Sequence, residues 1–334
     1  MRFDLRFWAE NISPPEIVKN GLELLEEFSA GVVVAMFADS MTAQNAKAFR
    51  KLKEAGIELV FWPLLPVERG YFPGEKNVPE FVEFSRELVL WAEANNIAPD
   101  MIAIDQELPF GQMMEILEAN PAGRVLKSLR VSFSNLDRKS YLKAKAELLN
   151  FNAWAKENGM RTLSACFPWV CLELEGEREM LQDMMETPLR GIGWDIISPM
   201  SYASMIAGMS NGLITYKDAN WLTYELCLGL KSSHPEQAGI SLGVTGTGVL
   251  GNEPTFDSPE ELLVGVEAAL SAGVRDISIY NLEGTLARPD ARRWFEMLRN
   301  ASPKAPELSR KVRLGLAVAR TAYPPLAWVI ERFS

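Results

Sequence analysis

Apolar residues along this chain gather in short runs rich in Val, Ile and Phe, each closed by polar, Gly or Pro residues. Eight such runs are visible: FDLRFW (3–8), VVVAMF (32–37), IELVFW (57–62), MIAID (101–105), TLSACF (162–167), DIISPM (195–200), ISLGV (240–244) and DISIY (276–280). Their length and β-branched content predict buried strands. Between them, apolar positions recur at helical spacing over Pro14–Glu27, Thr42–Ala55, Pro79–Asn95, Lys139–Asn158, Ser258–Ala272 and Pro289–Arg299. The tripeptides ending at Gly56, Gly159 and Gly273 put glycine at the expected helix C-caps, just ahead of the next strand.

Strands that alternate with helices pair in parallel through right-handed crossovers. Eight repeats over about 300 residues predict a (β/α)₈ TIM barrel rather than an open doubly wound sheet. No Gly-x-Gly-x-x-Gly follows the first run, as a dinucleotide-binding domain would require. The barrel is expected to span residues 1–302, followed by a helical C-terminal extension over 303–334.

Composition narrows the function. The chain has 334 residues, 48% of them hydrophobic, and a formal net charge of −10. That charge argues against sequence-independent nucleic-acid binding, which relies on excess Lys and Arg. No apolar run is long enough to span a bilayer, and MRFDLRFWAEN reads as a first strand, so a cytoplasmic protein is expected. Cys166, Cys171 and Cys227 lack metal-ligand spacing and are read as buried reduced thiols; neither a metal nor a cofactor is expected. The extension carries Lys304, Arg310, Lys311, Arg313, Arg320 and Arg332 against Glu307 and Glu331, and its apolar stretch is interrupted by Pro324-Pro325. It is expected to dock on the barrel, with peripheral membrane contact through 310–334 as the alternative.

In a barrel of this kind, chemistry collects where strands end and the following loops begin. Those positions hold Glu10, Asp39, Trp62, Asp105, Glu107, Trp169, Tyr202, Thr245, Thr247, Asn281 and Glu283. None is His or Lys; the one histidine, His234, precedes the seventh run, on the opposite rim. Ser–His nucleophilic catalysis and Schiff-base chemistry are thereby disfavoured. Carboxylate acid/base chemistry on a hydroxylated ligand fits, with Trp and Tyr faces for sugar rings.

Asp105 and Glu107 are two apart on one strand and so share a face, with Ile102 and Ile104 turned to the helices. Two carboxylates this close repel, and one pKa should rise. Glu107, farther out and next to Leu108-Pro109-Phe110, is expected to be the protonated acid, and Asp105 the anion.

The stretch Asp100-Met-Ile-Ala-Ile-Asp-Gln-Glu107 resembles the Asp-x-x-Asp-x-Asp-x-Glu motif on strand 4 of family 18 glycoside hydrolases, the chitinase-like barrels. Pro199-Met-Ser-Tyr-Ala203 is similar to that family's Met-x-Tyr-Asp on strand 6, and Leu242-Gly-Val-Thr-Gly246 to its Leu-Gly-x-x on strand 7. The resemblance implies Glu107 as proton donor, Asp105 orienting a substrate acetamido group, and Tyr202 bonding that group. Ala103 and Ala203 stand where the family carries carboxylates, and Met101 replaces its usual glycine.

Hydrolysis of an oligo- or polysaccharide by Glu107 is therefore expected, with Glu283 or Asp39 as second carboxylate. Trp62, Trp169, Tyr202, Asn281 and Glu10 are expected to contact the sugar. One alternative is a chitinase-like barrel that binds a glycan without cleaving it. Another is a sugar-phosphate isomerase or epimerase, suggested by Gly246-Thr-Gly248 and Glu283-Gly284, where barrels often bind phosphate.

Overall fold

The computed structural model describes residues 3–119, 121–174, 176–248 and 251–333. Each of the eight apolar runs is a strand: β1 (Asp4–Ala9), β2 (Gly31–Met36), β3 (Leu59–Pro63), β4 (Met101–Gln106), β5 (Arg161–Cys166), β6 (Ile196–Ser201), β7 (Gly239–Gly243) and β8 (Asp276–Tyr280). They close in chain order into a parallel barrel, β8 pairing back to β1 with Trp8 opposite Tyr280. The fold is a (β/α)₈ TIM barrel.

Strand alternation sorts the side chains into two cores. Phe7, Val34, Ile102, Ile104, Ile277 and Ile279 point outward and are buried beneath the helices. Trp8, Val33, Val60, Trp62, Ala103 and Leu163 point inward and fill the barrel. Below them lies Arg6, fully buried, with Nε 2.5 Å from Glu58 and Nη1 2.6 Å from Asp276. These two carboxylates balance a cation that would otherwise be costly inside the barrel. All three cysteines are buried and unbridged.

Three departures from the sequence pattern follow from local chemistry. The segment 14–27 forms two helices, Pro14–Asn20 and Leu22–Glu27, broken at Gly21. Any Cβ there would come within 3.1 Å of Leu286. Among the helices that the periodicity did not reveal, Phe110–Leu117 and Pro121–Asn135 stand between β4 and the barrel helix Arg138–Glu157, and Tyr216–Ser233 between β6 and β7.

The third departure is at the C-terminus, where the helix Arg310–Phe333 runs through Pro324 and Pro325 instead of breaking there. Both prolines are exposed, so the carbonyls they leave without an N–H face water rather than a core. Leu316 is buried on the opposite face, the Tyr323 hydroxyl donates to Glu173, and Ala327 packs with Met180 and Met184. Among the described residues, no helix is long and apolar enough to cross a membrane.

Candidate active site

The C-terminal ends of the strands surround a cavity of about 450 Å³. Its floor is the edge-to-face pair Trp8 and Trp62, with ring centroids 4.9 Å apart and planes at 82°. The Trp8 indole donates to Ser241 Oγ at 3.3 Å. The Trp62 indole N–H and Asp105 Oδ1 are both buried and have no hydrogen-bond partner among the described residues. Such groups are rare in folded proteins. Here a donor and an acceptor line the same cavity, and a ligand hydroxyl could satisfy either one.

Four carboxyl groups line the cavity, from Glu10, Asp105, Glu107 and Glu253, with no Lys, Arg or His among the described lining residues. Inward alternation of β4 brings Met101, Ala103 and Asp105 to the barrel interior, and Glu107 follows beyond the strand end. Burial, and then the charges of Glu107 and Glu10, push Asp105 well above the usual carboxylate range. Burial, and then Glu10, push Glu107 up to about 8. The raised Glu107 agrees in direction with the expected protonated acid, and Asp105, expected as the anion, is pushed the same way by burial and its carboxylate neighbours. Deep in the barrel and without a cation nearby, the two carboxyls titrate as a pair, and both are pushed toward the neutral form.

Glu10 is fixed by two phenols. Tyr71 donates to its Oε1 at 2.8 Å, and Tyr280 donates to its Oε2. Tyr280 in turn stacks on Tyr202, with centroids 5.6 Å apart and planes at 28°. Tyr71 adopts a left-handed backbone with φ of 64°, costly for a bulky side chain and often found where a side chain must be aimed. The loop after β7 passes close beneath: a Cβ on Gly248 would lie 1.7 Å from the Tyr280 hydroxyl.

Comparison with known proteins identifies the fold alone. Neither a protein-family model nor a curated protein sequence matches this chain. Among solved structures, the PgaB (BpsB) glycoside hydrolase domain from Bordetella bronchiseptica superposes with a TM-score of 0.53 at 12% identity, covering 91% of this chain and 100% of that one. A xylose isomerase domain protein from Planctomyces limnophilus gives 0.47 at 14% identity over 89% and 97% of the two chains. An L-ribulose 3-epimerase gives 0.49 at 10% identity over 99% and 98%. At these identities the likeness is one of fold.

Of the residues singled out in the sequence, Glu10, Trp62, Asp105, Glu107, Trp169 and Tyr202 line this one cavity. Asp39, Glu283, Asn281, Thr245 and Thr247 do not line it. Asp39 sits exposed in the short helical turn after β2. Glu283 Oε1 instead accepts the backbone N–H groups of Glu10 and Asn11, at 3.2 and 2.9 Å. Asn281 is buried; it caps the helix Leu282–Leu286 through Gly284 N and donates to the carbonyls of Gly246 and Thr247. Both residues tie the rim loops together.

Reading the sequence missed Trp8, Tyr71, Glu253 and Tyr280. Trp8 and Tyr280 were accessible by parity, since each lies an even number of residues from another inward-facing position on its strand. Glu253 and Tyr71 sit in long loops, where no periodicity marks direction.

Proposed function

We propose that this protein is a glycoside hydrolase with Glu107 as proton donor. The observation that carries the reading is the pair Asp105 and Glu107, facing one cavity with Trp62, Trp169 and Tyr202 and no cation in its described lining. Glu107 is half-buried, and its raised pKa keeps a proton available near neutral pH. It would protonate the glycosidic oxygen as the bond to the anomeric carbon breaks. Glu10, an acceptor from two phenols, would face the positive charge developing on the sugar ring until water adds to the anomeric carbon and gives a proton back to Glu107. Asp105 and the Trp62 indole would bind ring substituents, and Tyr202 and Trp169 would pack against ring faces.

The phosphate-binding alternative finds less support in the residues. Arg288, the cation nearest the glycine loops in sequence, turns Nη2 to the carbonyls of Thr245 and Phe256 and lies over the Trp294 ring. Gly246 and Gly248 answer to crowding: a Cβ on Gly246 would meet Gly284 Cα at 2.5 Å. Ala103 faces the barrel interior, where the chitinase-like pattern has a carboxylate, which keeps a binding-only barrel as the second reading.

The test is a screen of oligosaccharides and aryl glycosides for released reducing ends, followed by Glu107→Gln. A loss of roughly 10²- to 10⁴-fold in kcat on the cleaved substrate, with binding retained, is expected. Binding with no turnover by the wild type would select the lectin-like reading.

The C-terminal helix supports a proposal of its own, contact with anionic membrane. Leu314, Val318 and Trp328 are 67%, 57% and 53% exposed, away from the docked Leu316 and Ala327, and Arg310, Lys311 and Arg313 lie at its start.

A further inference from the structure

The inner and outer halves of the cavity differ in chemistry. The inner half holds Glu10, Asp105, Glu107, Trp62 and Tyr280. The outer half is walled by Met113, Ile116 and Leu129 from the two helices after β4, by Met185, and by Met205 and Ile206 from the helix Ala203–Gly208. Its hydroxyl groups are those of Ser128 and Ser132, and Ser132 already donates to Met185 Sδ at 3.7 Å. A second sugar ring placed there would exchange water for side chains that, apart from Ser128, are unable to bond its hydroxyls, a transfer that costs free energy.

The helix Phe110–Leu117, FGQMMEIL, sharpens this contrast. It is rich in Met, Ile and Leu, yet none of its residues is buried. A globular helix with such an apolar stripe normally covers it with core. Here Met113, Ile116 and Leu117 face the cavity. Met side chains, unbranched and polarisable, suit a flexible aliphatic guest better than a rigid ring of fixed shape.

We infer that the substrate carries an alkyl or acyl chain beside its sugar, and that the outer half of the cavity holds that chain while the carboxyl groups face the sugar. The inference rests on the glycosidase reading and names its substrate class: an amphiphilic glycoside rather than a chain of sugars.

The experiment uses the full chain and alkyl glucosides, galactosides and N-acetylglucosaminides with methyl, butyl and octyl chains, below their aggregation concentrations. Binding is read calorimetrically, and reducing-sugar release is read separately. A fully buried methylene contributes about 0.8 kcal/mol, or about fourfold in Kd. On at least one sugar, affinity should therefore rise at least about tenfold from methyl to butyl and further to octyl. In the doubly substituted Ile116→Asn, Met205→Asn protein, the dependence on chain length should largely vanish while methyl-glycoside affinity stays, showing that the inner site is intact. Equal wild-type affinity for methyl and octyl forms would overturn the inference. So would a chain-length dependence that the double variant retains. If chain length governs binding but no glycoside is cleaved, the apolar subsite stands and the hydrolase reading fails.

Discussion

Tyr71 donates its hydroxyl to Glu10 across 2.8 Å, and this bond pins the loop after β3 to the end of β1. Burial, and then Glu10 with Asp105 and Glu107 behind it, hold the Tyr71 phenol in its neutral, donating form. Tyr71→Phe keeps the ring and removes the bond. The variant should lose about 1–2 kcal/mol in urea unfolding and roughly tenfold in kcat/KM on any cleaved glycoside. Wild-type stability and rate together would remove Tyr71 from the site.

Glu107 has a definite signature in pH. Its folded-state pKa, about 8, lies above its ordinary value of 4.5. Between those values the unfolded chain ionises this group while the folded one resists, so its contribution to stability falls as pH rises from about 4.5 to about 8. Glu107→Gln removes that loss. The thermal midpoint of the variant, relative to wild type, should climb between pH 5 and pH 8.5, whereas a constant difference would contradict the raised pKa. Activity of the wild type should fall on a basic limb near pH 8 as the donor proton is lost.

Gly248 should tolerate no side chain. A methyl group there would displace the Tyr280 hydroxyl and reach within 2.8 Å of Glu10 Oε2. Gly248→Ala should cost about 1–3 kcal/mol and weaken methyl-glycoside binding, both measurable on purified protein.

Arg6 lies at the opposite end of the barrel and should matter for folding alone. Arg6→Met leaves Asp276 without its cation, while the partly exposed Glu58 keeps Arg161 at 4.0 Å. A loss of about 3 kcal/mol in chemical unfolding is expected, less than for a fully buried triad, with unchanged KM in the folded fraction. A changed KM would mean that the barrel floor communicates with the site.

The C-terminal helix should bring the protein to anionic vesicles. Co-sedimentation with vesicles containing phosphatidylserine, but not with phosphatidylcholine alone, is expected, weakening at high salt. Leu314→Asp with Val318→Asp should abolish it; equal sedimentation by this variant would show that the helix is not the contact.

Much of the site could be read in the sequence because it lies on strands. Once β4 is placed, its two-residue period sends Asp105 inward, carries Glu107 to the cavity beyond the strand end and turns Ile102 and Ile104 outward. Glu283 and Asn281 show the limit. Both follow β8 as expected, yet their side chains satisfy backbone groups of neighbouring loops and leave the cavity to Tyr280. Loops have no period, and partners far apart in sequence set their side-chain directions.

By itself, the alternation of short apolar runs and helical segments determined the barrel, its strand order and the carboxylate pair at the end of β4, because those features follow from local periodicity and chain connectivity. Tertiary structure alone decided which carboxyls share a cavity, and that burial there pushes both Asp105 and Glu107 toward their neutral forms. It also decided that the helices after β4 wall that cavity with uncovered apolar side chains. Burial and the distance between charges depend on groups brought together from across the chain, and these set the pKa values and the character of the cavity.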